Sequence, residues 1–419
     1  MPLSDAEQKA VEYLSNDREE LMEFVAAGIR TPSVTGTEGP FGEMVAGWLK
    51  DNDFESRLEK IGEDFGRAQE GFDAEHDLDE RPNVYGWLRG TDAAVPPLIL
   101  CTHLDVVSTG NRSQWRDDPF SGKRSGGRIL GRGATDMKGS LGAALFAMRA
   151  VRQAGITPAC DVQFQAVSAE ESGGLGTLRA LSSERAPSAV IVTEPTGGAV
   201  SPACSGCVHF TTTVTGLAGH AAVPWTGVSA LDKMILVYQA LTELARKRQE
   251  VRQNPLFSAY RDAAPFSVGV FNVGEWRSTV PDRAQFIARF GVMPGESIAE
   301  VRAQITDAVS AAAATDEWLA EHPPVVSWDN AGFPGWETDA TSPIVRVMSS
   351  AFEAVTGSAK LSGVTYGSDA GHYASRGIPT VLFGAGSISG AHGPNEYVEE
   401  DDVLQVAQAL AVGIARYRP

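Results

Sequence analysis

Between residues 83 and 193 short apolar runs alternate with a long helical pattern, and this alternation restricts the fold more than anything else in the chain. Residues 97–102 (PLILCT) form an apolar run suited to a strand buried on both faces. Residues 83–89 read as a strand before it, and 141–152 as an Ala-rich helix stopped by Gly155. Residues 162–168 and 189–193 read as further strands. Such a rhythm needs a sheet with helices on its faces. Upstream, 4–27 reads as one helix and 41–52 as a second, while 63–81, rich in Glu, Asp and Gly, reads as a solvated loop.

The middle of the chain has a different order. Residues 209–216 are a β-branched strand, 229–249 an amphipathic helix, Phe266–Val273 and 284–292 two strands, and 297–314 a helix. This β-α-β-β-α order matches a ferredoxin-like unit. Residues 316–324 read as a linker, after which the α/β pattern returns with helix Pro343–Thr356, strand 379–383 and helix 401–416. At 419 residues the chain exceeds one ordinary core. The expected architecture is an α/β domain from residues 1–206 and 322–419, its mixed sheet covered by helices on both faces. An α+β domain, residues 207–321, is inserted between its halves.

A net charge of −18 repels nucleic acid and anionic lipid, and no basic stripe offsets it. Such a charge also serves solubility. No apolar run is long enough for a membrane span, and the N-terminal segment lacks an apolar leader core, so a cytoplasmic protein is expected. Four cysteines make no disulfide framework, and Cys204 with Cys207 forms a lone C-x-x-C, a weak zinc signal.

The chemistry lies in five short motifs. His103 and Asp105 follow the run 97–102, and Asp136 sits in a glycine-flanked segment, 131–139 (GRGATDMKG), just before the helix 141–152. Strand 162–168 leads into Glu170 and Glu171, strand 189–193 into Glu194, and His392 lies in 391–397 (AHGPNEY). Each motif alone has an ordinary explanation, as a satisfied histidine, a solvated face or a turn. Recurrence at successive strand exits is different, because ligands of α/β sheets collect outside the carboxyl ends of strands. Imidazole nitrogens and carboxylate oxygens suit zinc, and a carboxylate with two oxygens can bridge a pair of ions. A carboxylate not occupied as a ligand can then move the proton of the attacking water. Spacing does not separate the roles of Glu170 and Glu171.

With these motifs the chain resembles the M20 metallopeptidase family, in particular its branch of acetylornithine deacetylases and succinyl-diaminopimelate desuccinylases. The segments THLDVV, GRGATDMKG, SAEESGG, TEPT and AHGPNEYV carry the resemblance, which runs from about residue 83 to 403. It implies that His103, Asp136 and Glu194 bind one metal ion and Asp136, Glu171 and His392 a second. Zinc is expected, with cobalt or manganese as alternatives. It further implies that Glu170 is the general base, that Asp105 orients the His103 imidazole, and that the Asp136–Met137 peptide is cis. The inserted domain resembles the family's lid and dimerisation domain, which implies a homodimer. Within TGLAGHAAVPWTGVSAL, His220 matches the residue that stabilises the oxyanion.

Two departures bear on substrate. Ser278 stands where many relatives have Asn, and Gly291 where many have a carboxylate-binding Arg, with Arg289 two residues earlier on the same strand face. Ser278 and Arg289 are therefore the candidate substrate contacts. The expected activity is hydrolysis of an amide C–N bond in a small molecule, first of all an N-acyl amino acid. The alternatives are a carboxypeptidase or dipeptidase, another C–N bond in an unusual small molecule, and a silent relative that only binds.

Overall fold

The computed structural model describes residues 1–69, 77–78, 80–251, 254–329 and 332–419. It divides into two compact units. The first comprises Met1–Ala203, Glu337–Ser362 and Ser368–Pro419, the second Cys204–Trp336 and Gly363–Gly367. The later crossing between them lies beyond the expected boundary at 321/322. The reason is that Val325–Trp328 is a strand paired with Gly206–Thr215.

The first unit is built on a six-stranded mixed sheet. Its order is Glu55–Lys60, Pro82–Leu88, Val162–Val167, Leu98–His103, Ala189–Val192, Thr380–Leu382. The first two pairings are antiparallel and the remaining three parallel. Alternation along the central strands serves two faces. Leu98, Leu100, Phe164 and Ala166 join a core with Leu141, Leu145 and Met148 of helix Gly139–Gln153 and Val403, Leu410 and Ile414 of helix Glu400–Arg416. On the other face Gln165 accepts a hydrogen bond from Tyr373 Oη, and Cys101 lies beside Thr177. Among the described residues no helix is long and apolar enough to cross a membrane.

Two local expectations change here. The N-terminal helix is two helices, Asp5–Asn16 and Arg18–Arg30. Asn16 and Asp17 are poor helix formers, and the break turns the Asp17 carboxylate to Arg149 at 2.8 Å. The stretch 63–81 opens with a short helix, Glu63–Arg67, while 70–76 and 79 lie outside the described residues.

The second unit runs β-α-β-β-α-β, the last strand completing the ferredoxin-like pattern. Its sheet order is Phe266–Val273, Arg283–Val292, Gly206–Thr215, Val325–Trp328, all antiparallel. Helices Ala230–Val251 and Ile298–Ala313 cover a core that includes Val208, Phe210, Met234, Phe286, Phe290 and Ile305. The expected linker 316–324 contains a helix, Glu317–Glu321. The Asp316 side chain caps it, accepting from Trp318 N and Leu319 N, and Leu319 is buried in the core. At five residues this helix is too short for periodicity to reveal.

Candidate metal centre

The sheet delivers the expected side chains to one place in the first unit. His103 ends its strand, and Glu170 and Glu194 follow theirs by a few residues. Asp136 lies in a non-helical turn just before helix Gly139–Gln153, next to a cis Asp136–Met137 peptide bond. His103 Nε2 is 3.0 Å from Asp136 Oδ1 and 3.8 Å from Glu194 Oε1. His392 Nε2 is 3.3 Å from Asp136 Oδ2 and 3.2 Å from Glu171. Asp136 thus turns one oxygen to each histidine. Ligand atoms of His103, Asp136 and Glu171 lie within 4.8 Å of one another, and so do those of His103, Glu170 and Glu194.

Charge is the second feature. Burial pushes Glu170 well above the usual carboxylate range, reinforced by the Glu194 charge. Glu194 is raised in the same way by burial and by Asp136. Burial also raises Glu171, against the hydrogen bond from His392. Burial opposes protonation of the histidines. Even so, the Asp136 hydrogen bond and the surrounding carboxylates carry His103 well above its usual value and His392 to about 11. Asp136, despite burial, is held low by its bonds to both imidazoles. Four carboxylates facing two imidazoles leave more anionic groups than cationic partners, and the raised carboxylates hold protons that a cation would displace. Hard oxygen and imidazole donors with that surplus fit divalent cations.

Asp105 differs from expectation. Its main-chain carbonyl, not its carboxylate, makes the 2.8 Å contact to His103 Nδ1, and the carboxylate Oδ1 stands 3.9 Å from that nitrogen. The carboxylate instead accepts from the backbone N–H groups of Glu170 and Glu171, each at 3.1 Å, and from Thr35 Oγ1 at 3.0 Å. The residue therefore fixes the imidazole through its backbone and the glutamate pair through its side chain.

Sequence reasoning passed over Asp369 and His372. Burial raises Asp369 to about 7, and a Cβ added at Gly174 would stand 2.6 Å from its Oδ1 and 2.4 Å from His372 Nε2. His372 Nε2 lies 3.2 Å from Gly173 O. Both residues pack against the glycine turn that follows Glu171, and no spacing rule marks them.

The remaining candidates belong to the second unit. His220 is exposed on a two-residue strand paired with Thr279–Val280. The Ala222 N–H donates to its Nδ1 at 3.1 Å, so the neutral ring carries its proton on Nε2. Ser278 is exposed, and its carbonyl accepts from Ala221 N. Arg289 donates to Thr365 O at 2.7 Å and Pro265 O at 3.5 Å, tying main chain to its strand. A Cβ at Gly291 would meet Ala264 Cα at 2.4 Å, so the neighbouring main chain closes that position to any side chain. Cys204 and Cys207 are buried thiols, and among the described residues neither belongs to a metal-competent group.

Comparison with known proteins places the chain in a family. Residues 99–415 match the model of peptidase family M20/M25/M40. The chain is 30% identical over 352 residues to an N-formyl-4-amino-5-aminomethyl-2-methylpyrimidine deformylase of Halalkalibacterium halodurans, covering 78% of this chain and 81% of that protein. The dipeptidase Dug1p of Saccharomyces cerevisiae superposes with a TM-score of 0.80 at 12% identity, over 99% of each chain. The Bacillus subtilis YXEP protein, described as a dinuclear metal-binding peptidase, superposes at 0.63 with 15% identity, over 96% of this chain and 98% of its own. The chain belongs to peptidase family M20/M25/M40 and is a hydrolase of C–N bonds.

Proposed function

We propose that this enzyme removes the acyl group of a small N-acyl amine in a centre of two divalent metal ions, zinc ahead of cobalt or manganese. The observation that carries the reading is Asp136, with one oxygen toward each histidine inside a ring of buried glutamates. On this reading His103, Asp136 and Glu194 hold one ion, and Asp136, Glu171 and His392 the other. Two such ions polarise an amide carbonyl and lower the pKa of water toward neutrality. Glu170 takes the proton of the attacking water and passes it to the leaving nitrogen, a role suited to a carboxylate made more basic by burial. Asp105 keeps Glu170 and Glu171 apart in their roles by gripping their amides. His220 donates its Nε2–H to the developing oxyanion.

Two observations favour an amine over an amino acid as the leaving group. The deformylase relative is named for an aminomethylpyrimidine. Gly291 is closed by Ala264 and Arg289 is tied to carbonyls, which leaves the usual carboxylate grip without its side chain. Leu231, Ile235 and Tyr238 form an exposed apolar stripe at helical spacing on Ala230–Val251, in keeping with a homodimer through the inserted unit. We place the enzyme in the cytoplasm, with a small molecule and neither nucleic acid nor membrane as partner.

Turnover on a panel tests this: N-formyl and N-acetyl aromatic amines, N-acyl amino acids, and dipeptides, each with added Zn²⁺, Co²⁺ or Mn²⁺. Highest kcat/KM on the uncharged acyl amines is expected. Preference for acyl amino acids or dipeptides would overturn the substrate class and leave the metal centre standing.

A further inference from the structure

Glu396 has no part in the roles assigned above, yet its carboxylate is buried against them. Its Oε1 accepts from Thr135 N at 3.0 Å and Asp136 N at 3.2 Å, while Oε2 pairs with Arg132 Nη1. Arg132, also buried, donates to Ser108 O at 3.2 Å and lies over the Trp115 ring at 5.3 Å. The main chain follows the same path: Gly131 N donates to Glu396 O at 2.9 Å, and Thr135 Oγ1 donates to Tyr397 O. His392, four residues upstream, faces Asp136 from the other side. Asn395, in the left-handed region at φ 61°, braces the turn between them. Its side chain accepts from Arg116 N at 2.8 Å and donates to Gln114 O at 3.1 Å.

We propose that Glu396 is a positioning residue that clamps the Asp136 main chain. The segment presenting His392 thereby also sets where the Asp136 carboxylate stands. One chain segment then fixes both partners of the His392–Asp136 pair, and their separation does not depend on how two independent loops pack. Asp105 does the same for Glu170 and Glu171. Without the Glu396 oxygen, two buried amide donors lose their acceptor, and the turn carrying Asp136 relaxes to find another. The inference rests on the metal-centre reading, because the quantity it controls is the affinity of the site that Asp136 and His392 share.

The alternative role for Glu396 is simply to neutralise Arg132, and two variants separate these. Glu396→Asp keeps the charge beside Arg132 but withdraws the carboxylate by one methylene from the amides. Glu396→Gln combined with Arg132→Met removes the buried pair but leaves an amide oxygen to accept from Thr135 N and Asp136 N. Zn²⁺ titration of the chelator-treated proteins, each checked as folded by circular dichroism, reads both ions. Glu396→Asp is expected to weaken at least one of the two ions, both of which Asp136 would hold, about tenfold or more, the scale seen for groups that support metal ligands, and to lower kcat with little change in KM. The double variant is expected to stay within about threefold of wild type, well inside that scale. The reverse ranking, or a Glu396→Asp protein with both ions bound as in wild type, overturns the clamp. Where the double variant does not fold, Glu396→Asp decides alone. Wild type binding fewer than two ions would contradict the metal-centre reading itself.

Discussion

At the scale of single residues, the centre depends on carboxylates placed by backbone amides. Glu170 and Glu171 are adjacent, and the grip of Asp105 on both N–H groups holds the turn that sends them in two directions. Glu170→Gln should lower kcat by at least ~10²-fold, the usual cost of losing a general base, while metal stays bound. Near-normal turnover in that variant would remove Glu170 from the role. Asp105→Ala should act on both folding and catalysis: the buried Glu170 amide loses its acceptor at about 1–3 kcal/mol and the part-buried Glu171 amide loses its own at less, so melting temperature and kcat fall together. A loss of kcat with unchanged stability would mean that the carboxylate acts through its charge on the centre and not by holding the two amides. The meeting of His103, Glu170, Glu171 and Glu194 was legible because polar side chains recur where strands end, whereas Asp136 and His392 follow no strand and were marked by the motifs that carry the family resemblance. The amide-gripping use of Asp105 and the position of Glu396 were not. A carboxylate that serves main-chain donors leaves no pattern in side-chain spacing.

At the scale of elements, the turn after Glu171 is the most constrained piece of the centre. Gly174 has φ 79°, and any Cβ there meets His372 and Asp369. Gly174→Ala should destabilise the fold by about 1 kcal/mol or more from the backbone alone and should lower kcat by displacing Glu170. A thermal melt and steady-state kinetics on one preparation check both, and an unchanged melting temperature would mean the turn has room. Legibility of elements followed their chemistry. Leu98–His103 opens on an apolar run and Val162–Val167 alternates apolar residues with Gln, and both declared themselves. Glu55–Lys60 (ESRLEK) is an edge strand whose charged residues guard against pairing with other chains, so it carries no strand signal. Val325–Trp328 is only four residues long, and so went unread between the expected linker 316–324 and helix Pro343–Thr356.

At the scale of the whole molecule, the surplus of carboxylates couples stability to metal and pH. Glu170, Glu194, His103 and His392 all have folded-state values raised above their ordinary ones. Each binds a proton more tightly folded than unfolded, so its contribution is present at low pH and lost as pH rises. The glutamates act above about 4.5 and the histidines above about 6.5. Two groups work the other way: burial lowers His372 to about 4, so its contribution is lost as pH falls from 6.5, and burial lowers Lys138 from 10.5 to about 7, so it partly offsets the loss above 7, outnumbered by the four raised groups. Metal-free protein should therefore melt at progressively lower temperature as pH is raised above 6.5, and Zn²⁺ should flatten the trend by meeting the ionised carboxylates. Thermal shift with and without chelator measures this, and a slope unaltered by metal would contradict it. The division into an α/β unit and an inserted α+β unit was readable from element order, whereas the substrate was not, since loops that line a pocket carry no periodicity. The central claim is a two-ion hydrolytic centre, and the direct measurement is elemental analysis of purified protein, followed by chelation and stepwise return of Zn²⁺ while amide hydrolysis is followed. Near two ions per chain, with activity lost on chelation and restored as the second equivalent is added, is the predicted result. Full activity in protein stripped of metal, or saturation at a single ion, would contradict it.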